Sequence, residues 1–311
     1  MRVAVVDVGT NTVRLLIADV TPPRKGGTRQ FGTGLKPVER AREITRLGKD
    51  VDARKKLDPL QSKATLDVIE TYVKKGRDAK AERIRVAGTS ALRDAEDSER
   101  FVETVQERTG QDLDILTGLE EGKLSFVGAT SDLPAGTYMV CDIGGGSTEL
   151  TVGREGPTAT VSLDVGSVRL KERLLRSDPP TAPQVQGVYS RIKDELEKTN
   201  FELMVTRKEE LVGVGGTITT LGAFILGLRT YDPDAVHHAR LPAVEVSKAV
   251  DRLRKMPVHE IRRLGVIESG RADVITAGAL VLRFVMERWD YSEVIVSELD
   301  ILDGLALDLV K

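Results

Sequence analysis

Twice in this chain an apolar run ends in an aspartate, turns through small polar residues and resumes as a second apolar run. The first instance is RVAVVDV, GTNT and VRLLIADV at the start of the chain; the second is YMVCDIGGGSTELTV from Tyr138, which places Asp7 and Asp142 135 residues apart. Short apolar runs bounded by turn residues read as buried strands, and the run after each turn reads as a hairpin partner. A weak internal repeat of this kind restricts the chain to a duplicated α/β design. With 311 residues there is length for two domains of ordinary size, and the expected boundary separates 1–127 from 128–311.

The rest of the pattern fills in around those hairpins. Asp58-Pro59 supplies an N-cap and a first-turn proline, after which Ala64, Val68 and Tyr72 with Ile69 and Val73 mark one helical face. Strands are expected at 84–88 and 112–118, flanking a helix from Ser98 to Thr109 closed by Gly110, and 119–128 reads as a helix joining the halves. The second half continues through a hairpin (TVGREGPTATVSL), helices near 166–176 and 183–198, a strand at 210–216 and a helix near 217–227. An irregular stretch at 229–241 follows. Further helices, the apolar helix RADVITAGALVLRFVMERW, the strand EVIVSE and a terminal helix complete the chain.

Composition narrows the partners. The hydrophobic fraction is 40%, the charged fraction 30% and the net charge −2, values of a soluble globular protein with little long-range field for an anion. Any attraction for a polyanion must therefore be local. Between Pro22 and Lys56 eleven basic residues face four acidic ones, an excess of +7 that is either a solvated face or a path lined by Arg40, Arg42, Arg46 and Lys49. A single cysteine, Cys141, leaves no intramolecular disulfide and fits a reducing compartment, so a cytoplasmic protein is expected. The run VITAGALVL is too short to cross a bilayer, and no interleaving of aromatic and basic residues suggests nucleic acid. Cys141 and the three histidines lack ligand spacing, so a metal would be a hard cation held by oxygen.

The two turns share one physical design. In the first, Gly9 permits close approach while Thr10, Asn11 and Thr12 add side-chain donors; in the second, Gly144, Gly145 and Gly146 leave room for an anion against bare backbone, followed by Ser147 and Thr148. A third turn, Gly213-Val214-Gly215-Gly216-Thr217, closes a strand and opens a helix. No lysine follows the glycines, so none is a Walker loop. One such turn alone reads as a tight turn with a capping aspartate; three in this order suit a phosphate chain gripped from two sides.

DVGTNTVRLL, GTSALRDAED, LTGLEEGKLSFVGA, DIGGGSTEL and VGVGGTITTL together resemble the exopolyphosphatase/guanosine pentaphosphate phosphohydrolase family, a branch of the actin-like ATPase superfamily. The resemblance extends to TRLGKDVD, DVGSVRLKERL and RADVITAGALVL and so covers most of the chain. Two segments depart: the family's Gly-Leu-Arg-Glu-Gly near the end reads Leu299-Asp300-Ile301-Leu302-Asp303-Gly304, and its His-Gly reads His237-His238.

What the resemblance implies is an α/β fold of two ribonuclease H-like domains facing a central cleft, and metal-assisted hydrolysis of a terminal phosphoanhydride. The substrate would be inorganic polyphosphate or guanosine pentaphosphate, and the active form a homodimer. Longer members add a helical C-terminal region where this chain stops, so short polyphosphates are expected to be favoured. Glu121 matches the family's general base, with Glu120 beside it; on spacing alone both also read as first-turn acids of a helix. Asp142 and Glu149, with Asp7, match positions that would hold Mg2+ or a similar hard cation. Arg93 would fork onto a phosphate, and Gly9, Thr10, Asn11, Gly144, Gly145, Gly146, Ser147, Thr148, Gly215, Gly216 and Thr217 would bind phosphate through the three turns. Cys141 reads as a buried strand residue, and the helix carrying Trp289 as core or dimer surface. Two rivals share the fold: a small-metabolite kinase, against which Glu121 speaks, and an actin-like or chaperone-like nucleotide switch, for which no filament or peptide-binding insertion is evident.

Overall fold

The structure, a computed structural model, describes residues 1–21, 34–206 and 208–310. Packing divides the chain into two compact units, Met1–Ala135 with Leu299–Lys311, and Gly136–Glu298. The first division thus falls after Ala135 rather than 127, and the last residues return to the first unit.

In chain order the first unit holds β1 (Arg2–Val8), β2 (Thr12–Val20), β3 (Leu35–Ile44), α1 (Val51–Arg54), α2 (Pro59–Asp78), β4 (Arg83–Gly88), α3 (Ser90–Asp94), α4 (Ser98–Thr109), β5 (Leu113–Ile115) and α5 (Gly118–Ala129). Its sheet runs β3-β2-β1-β4-β5, with β1 antiparallel to β2 and parallel to β4. β1 is a continuous apolar run because both of its faces are covered. Ala4, Val6 and Val8 join Ile69, Tyr72, Val73, Phe101 and Val105 on one side. Val3 and Val5 join Ile301, Leu302, Leu305 and Ala306 on the other. β3, which composition disguised as part of a basic stretch, forms the sheet edge. On α2, Asp58 caps Leu60 and Gln61 amides as expected, but the buried face turns through Thr65, Ile69, Tyr72, Val73 and Gly76, leaving Ala64 exposed.

The second unit holds β6 (Tyr138–Ile143), β7 (Thr148–Gly153), β8 (Pro157–Leu163), α6 (Ser167–Arg173), α7 (Ala182–Glu197), β9 (Glu210–Val214), α8 (Gly216–Ile225), α9 (Pro233–Val236), β10 (Arg240–Pro242), α10 (Ala243–Leu253), α11 (Val258–Ile261), α12 (Ile275–Trp289) and β11 (Glu293–Val296). Its sheet runs β10-β11-β9-β6-β7-β8. The meander β8-β7-β6 followed by parallel β9 and β11 repeats the order and directions of β3-β2-β1-β4-β5. The weak repeat in the sequence is therefore a repeat of topology. α12 lies in the core of this unit, with Trp289 packed edge-to-face on Phe201. His238, where the resembling family has glycine, adopts φ +62°, the left-handed region that glycine enters without cost. Among the described residues no helix is long and apolar enough to cross a membrane.

The last helix, α13 (Ile301–Asp308), belongs to the first unit because its apolar face covers β1 and β2 and it lies tightly on α5. A Cβ on Gly128 would sit 1.8 Å from the Asp300 carbonyl oxygen, and one on Gly304 2.0 Å from that of Leu124. Two helices approach backbone to backbone only where both lack side chains. Gly128→Ala and Gly304→Ala should each destabilise by about 1–3 kcal/mol through overpacking, seen as a fall of several degrees in Tm. Gly187→Ala on α7, where a Cβ meets nothing within 4 Å, should leave Tm unchanged or raise it slightly.

Candidate active site

In the first unit the turn after β1 is closed by the Gly9 amide on the Thr12 carbonyl at 3.0 Å. Its other carbonyls point into the unit: Asn11 O accepts from the Thr45 and Arg46 amides and Thr10 O from the Gly48 amide. The turn after β6 repeats this closure, Gly144 amide to Ser147 carbonyl at 3.0 Å. The carbonyls of Gly144, Gly145 and Gly146 accept from the amides of Ser167, Val168 with Arg169, and Gly166. No hydrogen bond among the described residues uses the amides of Thr10, Asn11, Gly145 or Gly146. Carbonyls drawn inward with amides left over is the polarity an anion requires. Gly166 permits this, since a Cβ there would lie 2.3 Å from the Gly145 carbonyl. Thr148, by contrast, spends its hydroxyl proton on the Val165 carbonyl at 2.8 Å.

The acidic strand ends differ between units. Asp142 and Glu149 stand directly opposite in the β6–β7 register and are only 8% and 1% exposed. Two carboxylates opposed on a buried face destabilise each other unless a cation or a proton lies between them. Glu149 Oε1 accepts from the Ser162 hydroxyl at 2.7 Å, across the next strand pair. In the first unit the position matching Glu149 is Arg14, opposite Asp7. Arg14 donates to Asp7 Oδ2 through Nε at 3.0 Å and Nη2 at 2.8 Å, and its Nη1 pairs with Asp300. Asp7 Oδ1 is buried without a hydrogen-bond partner. Burial pushes the Asp7 carboxyl above its ordinary value despite Arg14. Within the second unit, the opposed Asp142 and Glu149 are a donor set whose chemistry fits a hard divalent cation.

Glu121 lies in the first turn of α5, buried, and its Oε2 accepts from Arg93 Nη1 at 2.7 Å. Arg93 sits on the short helix α3 and also donates to the Leu116 carbonyl at 2.9 Å. The structure thus brings together the two side chains that resemblance made catalytic. Glu120 is separately engaged: it forms a capping box with Thr117, whose backbone amide first and hydroxyl second hold its carboxyl below the usual range. Both are first-turn acids of α5, and of the two it is Glu120 that caps the helix.

In the third turn Gly215 takes φ +89° and a Cβ there would lie 3.0 Å from Asp142 Oδ1. Gly216 is covered by Arg271, whose Nη1 would be 1.7 Å from an added Cβ. Sequence reasoning gave Arg271 no role; the signal was the segment beginning RADVITAG, quoted only as similarity. Of the basic stretch, Arg40 is bound to Asp303 and Lys49 is exposed. Arg24, Lys25 and Arg29 lie outside the described residues. Cys141 is fully buried, and burial pushes its thiol up, which suits a packing residue.

Comparison with known proteins follows the same lines. Residues 27–311 match the model of the Ppx/GppA phosphatase family. Exopolyphosphatase 2 of Mycobacterium tuberculosis is 38% identical over 319 aligned residues, covering 99% of this chain and 98% of the relative. The crystal structure of the Aquifex aeolicus member of the Ppx/GppA protein family superposes with a TM-score of 0.82 at 31% identity, covering 100% of this chain and 97% of that one. A solved exopolyphosphatase from Cytophaga hutchinsonii, 21% identical, superposes with a TM-score of 0.89 over 100% of this chain and 99% of that one, a likeness of fold.

One consequence concerns stability. Because burial outweighs the Arg14 ion pair and raises the Asp7 carboxyl, the folded state holds that proton more tightly than the unfolded chain. The contribution is complete below the ordinary carboxylate range and is lost as pH rises through the folded-state value. In metal-free buffer Asp7→Asn should therefore match or exceed wild-type Tm at neutral pH and lose less stability between pH 4 and neutrality. A variant clearly less stable than wild type at neutral pH would contradict this.

Proposed function

The chain belongs to the Ppx/GppA phosphatase family, and from that premise we propose that it is an exopolyphosphatase, hydrolysing the terminal phosphoanhydride of inorganic polyphosphate and releasing orthophosphate. The full-length likeness to a named exopolyphosphatase supports the activity; the observation that carries the mechanism is the pair Glu121 and Arg93. Glu121 is the general base: its carboxylate takes the proton of the attacking water, while Arg93 holds Oε2 and fixes the direction of Oε1. Phosphoryl transfer demands positioning and charge stabilisation more than covalent chemistry. Each within its own unit, the Thr10 and Asn11 amides and the Gly145 and Gly146 amides take phosphate oxygens, and Arg271 adds a guanidinium at Gly216. Asp142 and Glu149 in the second unit would hold a hard divalent cation, magnesium in the first instance, which would neutralise charge on the transferring group; Asp7 in the first unit offers a further carboxylate oxygen. The single buried cysteine suits a reducing cytoplasm.

The substrate is tested by phosphate release from short and long polyphosphate, guanosine pentaphosphate and ATP, side by side with magnesium. Polyphosphate should be turned over fastest; preference for guanosine pentaphosphate would reassign the substrate within the family, and ATP turnover that rises with an added acceptor would indicate a kinase.

The base is tested separately. A general base contributes about 10²–10⁴-fold, whereas a helix-terminal carboxylate contributes about 1 kcal/mol or less to stability alone. Glu121→Gln should lower kcat at least about a hundredfold with little change in KM or Tm. Glu120→Gln should retain most activity and most of its stability, since glutamine at N3 also completes a capping box with Thr117. Activity of Glu121→Gln within a few-fold of wild type would remove Glu121 from this role.

A further inference from the structure

The second glycine turn rests on a buried charge that no motif singled out. Arg169, the third residue of α6, is 5% exposed. Its Nε donates to the Gly146 carbonyl at 2.6 Å, and its own backbone amide donates to the Gly145 carbonyl at 3.1 Å. Nη2 lies 3.9 Å from Asp164 Oδ1, on a side chain 62% exposed. A guanidinium is costly to bury, and an ordinary turn needs none to close. The Gly146 carbonyl already accepts from the Gly166 amide at 3.1 Å, so the arginine is not there to satisfy an orphaned oxygen. It adds a charge-assisted bond to a peptide group that also contains the Ser147 amide, and such a bond polarises the whole group.

We propose that Arg169 is a positioning residue for phosphate at this turn. Its guanidinium locks the Gly146 carbonyl inward and with it the peptide that carries the Ser147 amide, while its own backbone amide on the Gly145 carbonyl fixes the peptide that carries the Gly146 amide, turned away from the unit's interior. Its charge raises the potential on a turn made of three glycines, where no side chain could do so. Gly166 and Ser167 complete the bracket, the latter with both amide and hydroxyl on the Gly144 carbonyl at 2.9 and 3.2 Å. The proposal deepens the exopolyphosphatase reading and rests on it for the identity of the anion.

The test uses the full chain and three forms: wild type, Arg169→Met and Arg169→Lys. Methionine fills the space without charge and Gly146 keeps its Gly166 donor; Tm measured beside the kinetics identifies a variant that fails to fold, and Arg169→Lys then carries the comparison. Loss of a charge-assisted bond in the anion site should raise KM for short polyphosphate about tenfold or more while kcat changes within about threefold. In parallel, the rise in melting temperature on adding inorganic orthophosphate with magnesium should shrink in the methionine variant and recover in part with lysine. A merely structural role would lower Tm without moving KM or the phosphate response. KM and phosphate response within twofold of wild type in Arg169→Met, or a loss confined to Tm or kcat, would overturn the proposal. So would a wild-type Tm indifferent to orthophosphate. A wild type that responds to orthophosphate but releases none from polyphosphate would instead sink the functional reading, and the comparison of variants would still decide the role of Arg169.

Discussion

Everything in this structure is arranged around carboxylates buried at the carboxyl ends of two central strands. A carboxylate in an apolar surrounding is unstable by several kcal/mol unless a partner compensates it, and the duplicated frame meets that demand in two ways. In the first unit the hairpin partner opposite Asp7 is Arg14, so the strand end carries its own counter-charge, and Asp300 continues the chain of charges into the last helix. In the second unit the partner opposite Asp142 is Glu149, so the strand end lacks such a counter-charge across the hairpin. One backbone geometry thus yields a self-contained ion pair in one copy and an acidic pair suited to a cation in the other. Divergence of a repeat here is a divergence of charge at a single register position.

The turns that follow these strands show how a backbone can be made to favour an anion without lysine. Each closes with a glycine amide on the carbonyl three residues on, and a neighbouring segment of the same unit binds the Thr10 and Asn11 carbonyls in one and the Gly144, Gly145 and Gly146 carbonyls in the other. Amides are then the groups left to meet a ligand, and because they are fixed before it arrives, little reorganisation opposes binding. This depends on close approach. Gly166 lies against the Gly145–Gly146 backbone at a distance that a methyl group would deny, and Gly215 lies likewise against Ile143 and Asp142.

What the sequence made legible was local. Strand-Asp-turn repeats, the Asp58 cap, the Gly110 stop and the helix expected over 119–128 are each set by interactions within a few residues, and each is found, the helix running one residue longer at both ends. The candidate residues of the two turns and the candidate base Glu121 could be named because their motifs are contiguous. What stayed hidden depends on contacts distant in sequence. β3 is a strand because β2 pairs with it, although its exposed charges read as a basic surface. α13 joins the first unit because its apolar face fits β1 and β2, which no local pattern around Ile301 reveals. Arg271 and Arg169 gain meaning only from the glycine carbonyl or glycine Cα that each covers.

Arg40 shows why counting charges along a chain misjudges a surface. It contributes to a local excess of +7 in the sequence, yet its guanidinium is joined to Asp303, a fully buried carboxyl that burial alone would push upward. Asp303 in turn accepts from the Asp300 amide at 3.1 Å, in the capping box that starts α13. The charge of Arg40 is therefore spent on holding the last helix to the edge of the sheet. That edge is otherwise an open row of backbone groups, and charged side chains along it discourage pairing with another chain. A basic stretch thus resolves into separate tasks, one of them internal. Field strength at any site is set by which charges stand beside it, so a count along the chain is no measure of it.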